Sequence, residues 1–196
     1  MEDLWRHENE ALLARIHKNL GTTENGNIGL FQSVPPIWRC RCCYRTKEEF
    51  ARKTEKGKLL CALHWHHDHF VDRLSAAAKE RICGSHPMVW DAARDGLGRF
   101  SRVLICNDCN VTEVGAKKGA NLHEPFSFSP SEIARFIRVG KNRNHGIDFI
   151  AVKSLWAGVS VELAELSAVF AEIEDLVHGR LHGREVGSLF GIVQAL

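Results

Sequence analysis

The sequence predicts an α+β protein, with a small zinc-stabilised core of two strands and a helix between helical N- and C-terminal extensions. Three observations predict this class: two CxxC pairs lie 62 residues apart, short apolar runs of strand length adjoin them, and both chain ends show helical periodicity. With 196 residues, 44% of them hydrophobic, the chain is long enough for one domain with extensions but short for two full-sized domains. The predicted parts are a helical extension at 1–38, a core at 39–120 with an insertion at about 70–98, and a helical region at 121–196.

The helices outside the core are predicted from periodicity and capping signals. Apolar residues recur at helical spacing from Met1 to Leu20, and Gly21 ends the pattern. A capping box at Ser129 to Glu132 opens a helix that runs to about Val139. The strongest pattern runs from Ser160 to Val177, where an apolar stripe indicates a core-facing helix or a subunit interface.

Charge is distributed unevenly along the chain. The formal net charge is only +2, but the segment from Arg39 to Lys153 has 21 Lys and Arg against 13 Asp and Glu, and both flanks are acidic. A basic middle suits a polyanion such as nucleic acid, although solvated surface side chains explain the same count. No stretch approaches about 18 uninterrupted apolar residues, and the N-terminus lacks the apolar core of a signal peptide. We therefore expect a cytoplasmic protein that does not use a membrane.

The cysteines predict a metal site. Cys40 and Cys43 form one CxxC pair and Cys106 and Cys109 form another, which is the spacing of a closed, tetrahedral, structural zinc site. Buried or redox-active thiols that share this spacing are the alternative. Cys42 could replace a neighbour in the first pair. The other two cysteines, Cys61 and Cys83, are interpreted as small buried apolar residues.

Four of the eleven histidines lie in the segment His64 to His69, directly after the apolar run from Lys58 to Leu63. This places the histidines at the end of a predicted strand, where neighbouring side chains point to opposite faces. One histidine could then hold a metal while the next takes a proton from water. A second structural zinc site or a solvated histidine cluster is the alternative.

The second CxxC pair lies between a predicted strand at Arg102 to Ile105 and a predicted helix at Asp108 to Lys118. Zinc would fix the first turn of this helix and hold Asn110 near the histidine strand. The amide oxygen of Asn110 is a suitable ligand for a hard divalent cation. The alternative is that Asn110 only caps or solvates the start of the helix.

In this order, the three motifs resemble the ββα-metal (HNH) nuclease family, and within it most closely the phage endonuclease VII branch. That branch has a CxxC pair, then a His-x-Asp-His-Asp-His strand end, then Leu-x-Cys-x-x-Cys-Asn running into a helix with an early Glu and a later Lys. The matching stretches, within Cys40 to Lys118, are Cys40-Arg-Cys-Cys43, His64-Trp-His-His-Asp-His69 and Leu104-Ile-Cys-Asn-Asp-Cys-Asn110, followed by Glu113 and Lys117.

The resemblance implies a metal-dependent DNA endonuclease that hydrolyses phosphodiester bonds. His67 falls on the general base of the family, which removes a proton from water. His66 and Asn110 fall on the ligands of a catalytic Mg²⁺ or another divalent ion such as Mn²⁺, which stabilises charge on the phosphate and the leaving oxygen. The four cysteines fall on a structural zinc site.

The chain departs from the family pattern at two places. His66 stands where this branch often has Asp, and other HNH nucleases use a His-His pair there. The interval from Phe70 to Gly98 is longer than the usual loop and has room for an added helix at Val71 to Ile82. A register alternative also stays open, because Asp68 and His69 could be the ligand and the base instead.

The expected partner is double-stranded DNA. The expected enzyme is of restriction, defence or phage type. A homodimer is expected if both strands are cut, because a two-fold axis supplies a second site of opposite polarity. The other hypothesis is a zinc-folded nucleic-acid binding module that does not cleave. Candidate phosphate contacts, for which a solvated face is the alternative, are Lys117, Lys118, Arg135, Arg138, Lys141 and Arg143.

Overall fold

The computed structural model describes residues 5–73, 98–122 and 126–181. Most of the predicted insertion, including Cys83 and all but the start of the added helix, lies outside these residues. The chain divides into two compact units. The first comprises Met1–His66, Arg102–His123 and Pro130–Val152, and the second comprises His67–Ser101, Glu124–Ser129 and Lys153–Leu196.

The first unit begins with the predicted N-terminal helix, which the structure confirms as α1 (Arg6–Leu20). Gly21 ends it in the left-handed conformation at φ 60°, and its amide donates to the carbonyl of His17. Two short helices follow, α2 (Gly29–Ser33) and α3 (Lys47–Phe50), and α3 starts with a capping box between Thr46 and Glu49. Their buried side chains form a core with α1 that includes Leu12, Leu13, Ile16, Phe31 and Phe50.

A buried lysine lies within this core. Lys47 is fully buried, and its Nζ donates to Asn9 Oδ1 at 2.7 Å and to the carbonyls of Phe31 at 2.6 Å and Val34 at 2.8 Å. Burial lowers the pKa of Lys47 to about 8, because desolvation disfavours the charged form. The three acceptors satisfy the three donors of the ammonium group.

Two antiparallel strand pairs and a helix continue the first unit. The pair β1 (Arg52–Lys53) with β2 (Leu59–Leu60) precedes the pair β3 (Leu63–His66) with β4 (Val103–Cys106), and helix α4 (Asn107–Gly119) follows β4 without a break. In the second pair Leu63 lies opposite Cys106 and His66 opposite Val103. The predicted strand at 58–63 is therefore two strands, and His64 and His66 lie within β3 instead of after it.

The remainder of the first unit is helix α5 (Pro130–Phe136) and a hairpin of β5 (Ile137–Arg138) and β6 (Gly146–Ile147). The helix starts at Pro130 as predicted but does not continue to Val139. Ile137 pairs with Ile147 instead, and the Phe136 carbonyl accepts from the amide of Asp148. The strand pairing of this hairpin therefore ends the helix early.

In the second unit the structure describes a helical segment at 69–73 and a cluster of aromatic rings. The rings of Phe126 and Phe128 meet edge to face at 4.9 Å, and the ring of Trp156 lies 4.7 Å from Phe126. Arg99 is almost fully buried and pairs with Glu162 at 2.8 Å while donating to the carbonyl of Ser127.

The last helix, α6 (Phe149–Leu181), is longer than predicted because it begins eleven residues before Ser160. Asp148 explains the earlier start: its Oδ1 accepts from the amides of Ile150 and Ala151, which is an N-cap arrangement. Within the described residues, the stretch Phe149–Glu172 is long and apolar enough to cross a membrane by length and composition alone. One such helix is weak support for a membrane span.

Candidate metal centre and histidine cluster

The first cysteine pair lies in a tight turn after α2. The Cys40 amide donates to the carbonyl of Arg45, the Tyr44 amide donates to the carbonyl of Cys40, and Tyr44 takes the left-handed conformation at φ 58°. The second pair lies where β4 meets α4, with Cys106 ending the strand and Cys109 in the first helical turn. The Cys106 amide donates to the Cys40 Sγ at 3.3 Å and so ties the two pairs together.

The four sulfur atoms form one compact group. They all lie within 4.8 Å of one another, with the Cys40 and Cys109 sulfurs 3.7 Å apart and the Cys43 and Cys106 sulfurs 3.8 Å apart. A regular tetrahedron of sulfurs at about 2.3 Å from zinc has edges of about 3.8 Å. The two CxxC pairs therefore meet at the sulfur separation that a bound zinc ion requires, and all four side chains are buried.

The acidities of these thiols also favour a cation. Bonds from Cys106 and Cys109 hold the pKa of Cys40 far below its ordinary value and lower that of Cys43 to about 5. The pKa of Cys109 rises instead, because its thiol bonds to Cys106 and Cys40 and is buried. Four buried sulfurs at this spacing cannot all be thiolates without a positive charge between them. The group is positioned for a metal ion and could bind zinc.

The structure separates this group from the other cysteines that it describes. Cys42 stands between Cys40 and Cys43 in the sequence and is also buried. It is not a member of the four-sulfur group, so it does not replace either of them. Cys61 is buried as well, and burial raises its pKa to about 12, which fits the predicted apolar role.

The residues predicted to hold a catalytic ion lie in the first unit. His66 is buried at the end of β3, and Asn110 is partly buried in the first turn of α4. The strand and the helix are joined nearby by His64, whose Nε2 lies 2.9 Å from Asn107 Oδ1. Glu113 is buried on the same helix and pairs with Lys117 at 2.8 Å.

His67 and His69 lie in the second unit and form a small cluster with Asp72. His67 Nε2 lies 2.7 Å from Asp72 Oδ2, and the two imidazole rings meet edge to face at 4.8 Å. All three side chains reach solvent, since His67 is partly exposed and the other two are exposed. Because Asp72 faces Nε2, the proton of a neutral His67 belongs on that nitrogen and leaves Nδ1 as an acceptor.

Asp68 lies between these histidines in sequence but has a different role. It is buried, and its Oδ1 accepts from the amide of Phe70 at 3.1 Å while its Oδ2 accepts from the amide of Arg99 at 3.2 Å. Asp68 thus caps the helix at 69–73 and anchors residue 99 to it.

The predicted phosphate contacts fall into two groups. Lys118, Arg135, Lys141 and Arg143 are exposed. Lys117 is mostly buried in its pair with Glu113, and Arg138 is exposed but pairs with Asp148 at 3.1 Å. Within the exposed group, Lys118 lies on α4 and Arg135 on α5, and the loop that connects β5 to β6 bears Lys141 and Arg143.

Sequence reasoning missed three residues that contact the predicted sites. Asp72 follows His67 by five positions, and its carboxylate reaches the ring only because a helix starts between them. Arg45 and His145 contact the cysteine group from positions that no motif marks. The only signal for Arg45 in the sequence was its position, because this cation stands two residues after the first CxxC pair.

Comparisons with known proteins add no relative. No protein-family model matches the chain, and no curated protein or solved structure matches it significantly. What supports a metal centre is therefore the geometry of the four cysteines.

Proposed function

We propose that this protein is a metal-dependent DNA endonuclease of the HNH type. The observation that supports it best is in the first unit, where β3 pairs with β4, α4 follows β4 directly, and the cysteine group ties the first cysteine turn to the junction of β4 and α4. This order of elements matches the family motif. His66 ends the first strand of that order and Asn110 lies in the first turn of its helix.

In the proposed mechanism His67 is the general base. Its Nε2 proton is directed to Asp72, so Nδ1 keeps a lone pair that removes a proton from the attacking water. Partial exposure of the ring gives that water access. Asp72 orients the imidazole and stabilises its positive charge after the proton has been taken up.

Two metal functions are separate in this proposal. The four cysteines would hold a structural zinc, which stabilises the fold. His66 and Asn110 would hold Mg²⁺ or a similar divalent ion, which supplies charge stabilisation at the phosphate. His66 offers an imidazole and Asn110 an amide oxygen for this purpose.

The contacts of Asp68 favour His67 over His69 as the base. In the rival register Asp68 is the metal ligand, but both of its carboxylate oxygens already accept backbone amide protons. Asp68 is also buried, so an ion held by it would have to reach a buried side chain and share both oxygens with these amides.

The proposed substrate is double-stranded DNA. Exposed cations provide charge for phosphate contacts without base specificity, namely Lys118, Arg135, Lys141 and Arg143. Cutting both strands would use a homodimer, and light scattering of the DNA complex together with an assay that separates nicked from linear plasmid tests this point. A strict monomer that linearises plasmid in one binding event would contradict the dimer.

A nucleic-acid binding module without cleavage is the second candidate, and one observation favours it. His66 is only 3% exposed, which restricts the entry of an ion and a phosphate. Incubation of supercoiled plasmid with the protein and Mg²⁺, or with a chelator that binds Mg²⁺, separates the two. The endonuclease predicts cleavage with Mg²⁺ alone, and DNA binding without cleavage in either buffer would favour the second candidate.

A further inference from the structure

The cysteine group has charged and polar neighbours whose positions are not explained by packing alone. Four thiolates and one divalent ion leave two negative charges in a buried site, which is unfavourable without compensation. Arg45 supplies a positive charge there, since its side chain is only 4% exposed. Its Nε lies 3.4 Å from the Cys43 Sγ and its Nη2 lies 3.5 Å from the Cys106 Sγ.

Arg45 also fixes the polypeptide around the group. Its Nη2 pairs with buried Asp108 at 2.8 Å, and its Nη1 donates to the carbonyls of Gly140 at 2.5 Å and Arg143 at 3.3 Å. One guanidinium therefore joins the first cysteine turn, the start of α4 and the loop of the β5–β6 hairpin. A planar fork with five donors can make such bonds together, whereas an ammonium group cannot.

His145 approaches the group from the hairpin loop. The Gly140 amide donates to His145 Nδ1 at 3.2 Å, so Nδ1 is an acceptor and the proton of the neutral ring lies on Nε2. That Nε2 lies 3.4 Å from the Cys109 Sγ, so its proton is available to the sulfur. His145 is buried, and its Nε2 also lies 3.1 Å from Arg45 Nη2; because a guanidinium has no acceptor, this approach is not a hydrogen bond and the Nε2 proton is directed to the sulfur.

We propose that Arg45 and His145 form the outer shell of the metal centre and that through them the bound metal fixes the hairpin loop 140–145. Arg45 donates to one sulfur of each CxxC pair, and His145 donates to a third sulfur. The same two side chains hold Gly140 at its amide and at its carbonyl. The conformation of a loop that bears two exposed cations thus depends on the metal centre.

The test replaces zinc with Co²⁺ in the full-length chain, because the sulfur-to-cobalt charge-transfer bands report the electron density on the thiolates. Arg45→Met and His145→Phe each remove donors to sulfur, so their bands should move to lower energy. Arg45→Met should also raise the Co²⁺ dissociation constant about 10–100-fold, the range found when partners of metal ligands are removed. Arg45→Lys keeps the charge but not the fork, and should recover only part of the affinity.

Arg52→Met is the matched control. Arg52 pairs with the same Asp108, through Oδ1 at 3.1 Å, but among the described residues it makes no bond to a cysteine. Its loss should leave the cobalt bands in place. Hydrogen exchange of peptides covering 137–147 should become faster in Arg45→Met than in Arg52→Met, because the former loses the bonds to Gly140 and Arg143.

Unshifted bands and unchanged Co²⁺ affinity in both Arg45→Met and His145→Phe would overturn the proposal, as would a chain that takes up no Co²⁺. If Arg45→Met fails to fold, His145→Phe decides the question, because it keeps Arg45 and removes a single donor. None of these measurements uses cleavage, so their failure is distinct from failure of the proposed endonuclease.

Discussion

The cysteine group and the histidine cluster are built in opposite ways. The cysteine group joins residues more than 60 positions apart, is buried, and has a buried cation and a buried imidazole next to it. The histidine cluster spans six consecutive positions, reaches solvent, and depends on one turn that Asp68 caps. The first is a product of the tertiary fold, and the second is a product of local sequence.

Because of this difference, we expect the cysteine group to determine the stability of the fold and the histidine cluster to act in the reaction. Loss of a member of the cysteine group should disrupt long-range contacts between β4, α4 and the first cysteine turn, because these segments meet at the sulfurs. Loss of a member of the histidine cluster should leave the fold in place, because its members are exposed and adjacent. The following predictions test that separation.

The largest effect is expected for Cys106→Ser. It should remove the bound metal and destabilise the fold, since structural zinc contributes on the order of 10 kcal/mol in small zinc domains. Elemental analysis and thermal unfolding measure both outcomes. Cys61→Ser is the matched control, because Cys61 is equally buried but outside the group. A Cys106→Ser protein that keeps one zinc and unfolds at the parental temperature would show that the assignment is wrong.

On the histidine side, His67→Ala should reduce cleavage by roughly 10²–10⁴-fold while zinc content and DNA affinity stay close to those of the parent. The reason is that a general base acts in the chemical step only. His69→Ala is measured beside it, because the rival register assigns the base to His69. A fully active His67→Ala with an inactive His69→Ala would transfer the role to His69.

The first unit contains the buried Lys47 as well as the cysteine group. Its stability should therefore depend on the charge of this lysine in addition to the metal. The folded pKa of Lys47, about 8, lies below its ordinary value of 10.5. The unfolded chain therefore binds more protons between these values, and the free energy of unfolding should rise with pH across that window.

Lys47→Met should remove this rise. The difference in unfolding free energy between parent and Lys47→Met should increase by up to about 3 kcal/mol from pH 8 to pH 10.5. Urea titrations at several pH values measure it, with Lys18→Met, an exposed lysine of α1, as the control. A difference that stays flat or falls with pH would contradict the burial of a charged lysine.

The smallest effect is expected for Asp72→Ala, which should slow cleavage about 10–100-fold without loss of stability. The imidazole would lose the acceptor that keeps its proton on Nε2. Nitrogen NMR shifts of His67 should report mostly Nε2–H in the parent and a mixture of tautomers in the variant, and Asp72→Glu should restore part of the rate. An unchanged rate together with an unchanged tautomer would exclude an orienting role for Asp72.

The cysteine ligands and the elements beside them were predictable from the sequence, since CxxC spacing and strand and helix patterns are local signals. The early end of α5 was not, because the pairing of Ile137 with Ile147 across a hairpin competes with helix propensity and no turn motif in the sequence marked it. The contacts of Arg45 with the Cys106 sulfur and of His145 with the Cys109 sulfur were equally hidden, because they join positions 61 and 36 residues apart. The endonuclease itself stays a prediction from the motif order.

The most direct test of the separation between stability and chemistry is a Mg²⁺ titration of plasmid cleavage by zinc-loaded protein, with zinc content measured at each point. We predict no cleavage with zinc alone, cleavage that increases with Mg²⁺, and a constant single zinc per chain throughout. Cleavage that proceeds without Mg²⁺, Mg²⁺ that displaces the zinc, or no cleavage at any Mg²⁺ concentration would contradict it.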